Sequence, residues 1–359
     1  MILIKIYDLT NKNLTLKNFL FLLIYLFIIM FGVFRYDVGA DYENYFEVFH
    51  NIINNYHEYE SLDYLFLKLL SNLFSFSEYG YLGLFGAYFI INLSIILYIL
   101  KKLDILLWGF FTFVTFGFLF DVFNSLRQSI AVAIFLLSIK DIEQKQFFSF
   151  FSKIIIASMF HISAIVLIVV YFISKININN MIITIWVLIL VMFHFSGLSV
   201  TLMQFIFLNI PFYNSYSNTE YFNMFGSLNS GLGFLSKVLF IYLNIILISN
   251  KIYRNILVIG ITIYIIGFTN LNFDRMTSYF LIVSILTFPL IIKSINKINI
   301  KFFIVILMVM YLLVYFYKLS YNNEEIRYQS IFGGEFKNQE FKDRIYPWDD
   351  DFVFEKNSK

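Results

Sequence analysis

The chain has 359 residues, of which 60% are hydrophobic and only 14% charged, against about 25% charged in soluble chains. A net charge of +2 argues against a nucleic-acid partner, and the absence of cysteine excludes disulfides and thiol chemistry. The apolar residues come in long blocks that cannot all enter one globular core. The composition therefore predicts an all-α, polytopic integral membrane protein.

Three lysines, Lys5, Lys12 and Lys17, precede the first apolar block, Leu20–Phe34. That block approaches the roughly 17–25 residues a membrane-crossing helix needs. It starts late and lacks a small-x-small exit site, so it is read as a span and not as a cleavable leader. Lys and Arg favour the cytoplasmic side of short loops. With every lysine cluster placed inside, Leu20–Phe34 runs outward and Tyr81–Leu100 returns to Lys101 and Lys102.

The loop between those spans opens with Arg35-Tyr36-Asp37-Val38-Gly39-Ala40-Asp41-Tyr42. Gly39 permits a turn just beyond the membrane, and Asp41 is placed to cap the helix that follows. Tyr42, Tyr45, Phe46, Phe49, Ile52, Ile53 and Tyr56 fall on one helical stripe, with Glu43, Glu47, His50 and Asn54 opposite. Leu62, Leu65, Phe66, Leu69 and Leu73 form a second stripe, interrupted by Asp63, Lys68 and Asn72. Both segments are expected to lie along the headgroup boundary.

Two spans are predicted between Lys102 and Lys140, turning outside near Asp121–Arg127, with Asn124 as N-cap and Arg127 in the first turn of the next helix. Beyond Lys153 two paths stay open. Ile154–Ile173 is one span, or Phe147–Phe160 and His161–Ser174 are two short helices meeting in a cavity, as membranes tolerate where protein covers the backbone. Met181–Phe195 and Leu198–Phe212 follow, and the polar stretch Asn214–Gly233 falls outside. Two further spans turn outside at Asn270–Arg275, where Asp274 resembles a cap and Arg275 begins a helix. Phe302–Tyr317 completes about ten to eleven crossings, so residues 1–317 form one membrane domain and 318–359 a polar extracytoplasmic tail. The N-terminus lies in the cytoplasm of this multi-pass cell-membrane protein.

Arginine is scarce, six residues against twenty lysines. Its planar fork grips phosphate bidentately and keeps its charge. Arg35, Arg127 and Arg275 all fall on the outer side, against the positive-inside bias, and two of them begin helices, where a cation is disfavoured unless an anion shares the free N–H groups. They mark a shared site for an anionic lipid head; the blander alternative is headgroup snorkelling or pairing with Asp37, Asp121 or Asp274. His161 is an ionisable group in an apolar segment and a candidate functional residue. His194, His50 and His57 rank below it. No metal-ligand spacing occurs, so neither a metal site nor a cofactor is expected, and Asp349-Asp350-Asp351 lies in a tail without strand pattern.

Four segments together resemble the signatures of the EpsG family of exopolysaccharide and capsule polymerases, related to Wzy-type O-antigen polymerases. They are Arg35-Tyr36-Asp37-Val38-Gly39-Ala40-Asp41-Tyr42-x-x-Tyr45; Asn124-Ser125-Leu126-Arg127-Gln128-Ser129-Ile130-Ala131; Ala157-Ser158-Met159-Phe160-His161-Ile162-Ser163-Ala164; and Asp274-Arg275-x-x-x-Tyr279-Phe280. They occur in the family's order over residues 20–290, although many members carry a further helix before the first. The resemblance implies a GT-C-like, metal-independent glycosyltransferase that joins undecaprenyl-diphosphate-linked oligosaccharide repeat units at the outer leaflet. Its partners would be that lipid-linked substrate, the bilayer, and other polysaccharide export and chain-length proteins. Asp41 or His161 would serve as the base. Arg35, Tyr36, Tyr42, Tyr45, Arg127, Gln128, Asp274 and Arg275 would hold the substrate. A flippase for lipid-linked oligosaccharide and an O-antigen ligase are the alternatives.

Overall fold

In a computed structural model the described residues are 7, 14–39, 41–54, 59–209, 232–268 and 271–294. Near the C-terminus they are 305–306, 309–311, 313, 328–333, 336 and 341. Two compact units result. The first comprises Met1–Phe172, Ile285–Asn296 and Tyr317–Lys342; the second comprises Ile173–Ser284, Lys297–Phe316 and Asp343–Lys359. The lysines before Lys17, most of Asn214–Gly233, most of Phe302–Tyr317, Tyr56, His57 and the Asp349–Asp351 run lie outside the described residues.

The first unit begins with α1 (Leu14–Val33), which is apolar all round. Leu20, Ile24 and Ile28 recur every four residues and are buried, while Leu22, Leu26, Phe27 and Met30 face outward. One stripe thus packs on the protein and the rest suits lipid. Gly32 continues the buried stripe, and a Cβ there would meet the Phe89 ring at 2.1 Å. That close approach seats α1 on α4 (Gly80–Lys102). Between them lie α2 (Tyr42–Ile53), a 3-10 turn (Leu62–Tyr64) and α3 (Leu65–Phe74). At about 1.5 Å per residue α3 is far too short to cross. Its predicted apolar stripe faces mainly outward, as expected along the headgroup boundary, although Phe66 turns in to the protein. Leu67 and Ser71 are buried, whereas Leu62, Leu69, Leu73 and Phe76 are 74%, 55%, 62% and 84% exposed, an outward face suited to acyl chains.

Next come α5 (Leu106–Thr115) and α6 (Phe118–Asn124), bent by 57° at Gly117, whose φ is 86°. Then α7 (Leu126–Glu143) runs through the centre of the unit, with nearly every side chain buried. Asn92 of α4 donates to the Ser129 carbonyl of α7 at 2.7 Å. α8 (Phe147–Phe160) packs along α7 and ends at His161, whose extended backbone (φ −154°, ψ 118°) breaks the helix. The chain continues as a 3-10 segment (Ile162–Val169) and a short α9 (Val170–Ile173), and Tyr171 returns to Phe147 at 5.0 Å between ring centroids. Of the two predicted paths, the pair of short helices is therefore the one adopted. They form a hairpin with His161 at its tip. Each arm covers about 20 Å at helical rise, less than a hydrocarbon core of about 30 Å.

The lysine-rich ends of this unit meet. Lys17 and Lys293 both pair with Asp104, each at 3.3 Å, and Lys101 donates to Asn18 at 3.2 Å. Partial burial raises the Asp104 pKa, but the two lysines outweigh it and hold the carboxyl below its ordinary value. α1 and α4 thus run antiparallel, with Lys17 and Lys102 at one end and Arg35 and Gly80 at the other.

The second unit contains α10 (Asn180–Phe195), α11 (Leu198–Asn209), α12 (Leu232–Leu247), α13 (Lys251–Gly267) and α14 (Leu271–Leu281). Asn179 and Asn250 cap α10 and α13 by accepting backbone N–H groups. α10 and α11 bend by 84° beside Gly197. A further helix, α15 (Ser284–Ser294), follows α14 in the chain.

Set against the ten to eleven crossings predicted, three of the described helices are long and apolar enough to span a membrane, or up to five if each bent pair is one span. The shortfall has physical causes. α7 carries Arg127, Lys140, Asp141 and Glu143, and the hairpin arms and α12 are short.

Candidate functional site

The first signature loop leaves α1 and turns at once. Asp37 takes φ 49° and Gly39 φ 109°, both left-handed. The turn presses Gly39 against the end of α6, where a Cβ would lie 2.6 Å from Asn124 Oδ1 and 3.0 Å from the Phe123 carbonyl oxygen. The first two signatures therefore touch. Asp41 occupies the N-cap position of α2, but its side chain makes no cap bond; its carbonyl accepts from Tyr45 N–H at 3.1 Å.

Arg35 is only 1% exposed. Its guanidinium lies over Phe123 at 4.5 Å and over Phe85 at 5.6 Å. Nε and Nη1 have no hydrogen-bond partner among the described residues. Burial pulls the Arg35 pKa down from its ordinary value to about 10, so the group remains a cation at neutral pH; burial pushes the Tyr42 phenol well up. A buried cation with unmade donor bonds is costly unless an anion joins it.

The C-terminal segment covers this loop. Tyr36 N–H donates to the Gln329 carbonyl at 3.0 Å, and Ile331 N–H to the Phe34 carbonyl at 3.0 Å, forming an isolated bridge between Arg35 and Ser330. The Tyr328 hydroxyl donates to the Phe31 carbonyl at 3.0 Å. Phe341 stacks on Tyr36 at 5.9 Å and lies 5.1 Å from Phe46, while Phe336 lies 5.1 Å from Tyr36. Sequence reading left open whether the tail forms a small cap; aromatics spaced through a polar segment were the signal of this strap.

Arg127 is the second residue of α7. Asn124, expected as the N-cap of that helix, instead ends α6, and Ser125 takes the cap position without a side-chain cap bond. Arg127 remains in the first turn. Its Nη1 donates to Asp63 Oδ2 at 3.0 Å and to the Asp63 carbonyl at 3.2 Å, and its guanidinium stacks 3.7 Å from the Tyr64 ring centre. Tyr45 is a further hydrogen-bond partner. Nε is buried without one among the described residues. The expected bland partners were Asp37, Asp121 and Asp274. The acid actually paired with Arg127 is Asp63, visible in the sequence only as an interruption of the second stripe. Gln128 is buried beside it.

The third signature reaches the same region. Phe160 stacks on Phe66 at 4.2 Å and meets Tyr88 edge-on at 6.3 Å. Next to it, at the hairpin tip, His161 Nδ1 lies 2.7 Å from Ser163 Oγ. The first unit thus gathers Arg35, Tyr36, Asp41, Tyr42, Tyr45, Arg127, Gln128 and His161 from three signatures. Asp274 and Arg275 belong to the second unit. They are the fourth and fifth residues of α14, so Asp274 is not the cap the sequence suggested. His194, also there, is buried at the α10–α11 bend and stacked on Phe234 at 4.5 Å.

Comparison with curated proteins and with solved structures finds no match. A family model does match, over residues 18–331, and its span takes in all four signatures together with the first residues of the strap. Apolar helices of membrane-spanning length, three of the four signature segments lying in one unit and this match over most of the chain agree: the chain belongs to the EpsG family.

Proposed function

We propose that this protein is a membrane polysaccharide polymerase that joins repeat units carried on undecaprenyl diphosphate at the outer leaflet. The observation that carries the reading is the segregation of cations in the first unit. Lysines collect around Asp104 at one end of α1, while Arg35 is buried beyond the other end. A positive-inside distribution sets the lysine end in the cytoplasm and the Arg35 end outside. Family membership points to the same chemistry.

In the reaction an acceptor sugar hydroxyl attacks the anomeric carbon of the growing chain. The bond from that carbon to the diphosphate oxygen breaks, and its electron pair leaves with the diphosphate. The hydroxyl proton passes to a base, for which Asp41 and His161 are the candidates. Negative charge grows on the leaving group, where preorganised guanidinium and N–H donors have most effect. Arg127, in the first turn of α7, and Arg35 supply such donors. Arg275, from the fourth signature, is expected to be required as well. Tyr36, Tyr42 and Tyr45 are the aromatic groups assigned to the sugars.

Deleting the gene and running lipid-linked glycans on gels tests the assignment. Accumulated single repeat units support polymerisation. A full-length ladder that never reaches its surface acceptor would mean ligase, and absence of outward-facing units would mean flippase. Arg127→Lys in the intact gene is expected to reproduce the single-repeat pattern with normal membrane levels.

A further inference from the structure

Arg127 is held in an unusual way. A carboxylate normally engages a guanidinium through two parallel bonds. Here Nη1 alone takes both bonds to Asp63, one to the side chain and one to the backbone, and buried Nε has no partner among the described residues. The other oxygen of Asp63, Oδ1, accepts from Ser61 at 2.7 Å. Asp63 and Arg127 are nearly enclosed, with side chains 15% and 13% exposed, and Tyr64 covers the guanidinium face. Asp63 lies in a single 3-10 turn, and its neighbour Leu62 belongs to the outward apolar face continued by Leu69, Leu73 and Phe76.

We infer that Asp63 is a latch: it occupies the anion position of Arg127 in the resting protein and yields it to the diphosphate of a lipid-linked substrate. The inference rests on the reading of Arg127 as a diphosphate clamp and adds the residue that positions the clamp before substrate arrives. A buried guanidinium left bare is costly, so a stand-in anion preserves both its charge and its place. End-on pairing through one carboxylate oxygen is a weaker hold than a diphosphate, which offers several oxygens and more charge to the unused Nε edge. Ser61 keeps a bond ready for the displaced carboxylate. The exposed leucines put the latch at the bilayer surface, so a prenyl chain lying along them brings its headgroup to Asp63. Asp63 is thus a positioning residue, and it competes with the substrate.

The test uses the full-length protein in detergent, with farnesyl diphosphate, inorganic diphosphate and farnesol as probes. Asp63→Asn is expected to bind farnesyl diphosphate about threefold to tenfold more tightly than the wild type, because the competitor has lost its charge. A residue that merely braced Arg127 would weaken binding on removal. Unchanged or weaker binding by Asp63→Asn therefore overturns the latch. Equal gains for inorganic and farnesyl diphosphate support it and locate recognition in the headgroup alone; a gain confined to farnesyl diphosphate supports it for the lipid. Farnesol binding that rises as much as farnesyl diphosphate binding overturns it. Wild-type protein gives an independent reading if Asp63→Asn does not fold. Farnesyl diphosphate should speed amide hydrogen exchange over residues 61–66, and slowed exchange there overturns the latch. Arg127→Lys separates the two levels. If it binds farnesyl diphosphate like the wild type, the clamp reading fails and takes the latch with it. If it loses binding while Asp63→Asn shows no gain, the latch alone fails.

Discussion

Gly39 and Asn124 touch, although they belong to different signature motifs. A Cβ on Gly39 would lie 2.6 Å from Asn124 Oδ1, and the Gly39 backbone has φ +109°. The first signature loop is therefore fitted to the α6–α7 junction, with Arg35 shortly before that contact in the chain and Arg127 shortly after it. Gly39→Ala suffers both the close approach and the left-handed backbone. It should cost about 1–3 kcal/mol. Thermal unfolding in detergent measures the cost, and a melting temperature equal to the wild type would show that the loop is not fitted in this way.

Arg35 separates function from stability. It is buried with two donor groups unmatched, so an apolar replacement of similar length removes a charge that the fold does not need. Arg35→Met forfeits the contacts with Phe123 and Phe85, of order 1–2 kcal/mol, yet relieves desolvation of comparable size. The expected result is a melting temperature near or above the wild type together with loss of polymer. A strongly destabilised Arg35→Met would make Arg35 a structural residue.

Polymer output should fall steeply when the charge at Arg127 loses its fork. Arg127→Lys keeps the cation but not the planar geometry, and the loss of one preorganised donor typically costs about 10²–10³ in rate. Initial rates of ladder formation in isolated membranes measure this. A loss of less than threefold would place Arg127 outside the reacting centre.

The chain lacks cysteine, which makes the strap accessible to labelling. Val38 is 1% exposed in the covered loop. A cysteine at Val38 should resist an impermeant maleimide in the full chain and react from outside after residues 328–359 are removed. Reaction only in opened cells would put the loop on the cytoplasmic side.

Cysteines at Gln144 and Lys175 test the hairpin. Phe147 and Tyr171 meet, so the chain enters and leaves at one level and turns at His161. Both positions should label from the cytoplasmic side alone. Labelling from opposite sides would convert the hairpin into a crossing.

Much of this was legible from residue order. Long apolar blocks located α1 and α4, and the lysine clusters placed Lys17 and Lys293, which both pair with Asp104, on one side with Lys101, which bonds to Asn18. The two short helices around His161 stood as one of two open paths, because apolar length cannot tell a broken segment from a continuous one. Cap assignments failed at Asn124 and Asp274 because a capping side chain is equally acceptable within a neighbouring helix, and Gly117 starts α6 early enough to absorb Asn124. Asp63 was invisible as a partner, since its pairing depends on a fold that brings the 3-10 turn to the start of α7. The stripe on α3 does face outward, as a helix along the headgroup boundary requires, but Phe66 turns in to Phe160. Periodicity shows that a face is apolar and not which solvent it meets.

The strap imposes an order on biogenesis. Tyr328, Gln329, Ile331 and Phe341 are made after all fifteen helices described above, yet they bond to Phe31, Tyr36 and Phe34 and stack on Tyr36, beside the first of those helices. Until the strap is made, the loop that carries Arg35 lies uncovered. A nascent chain can therefore settle its helices in the bilayer before Arg35 is sealed in, and a chain that stops before Tyr328 stays unroofed.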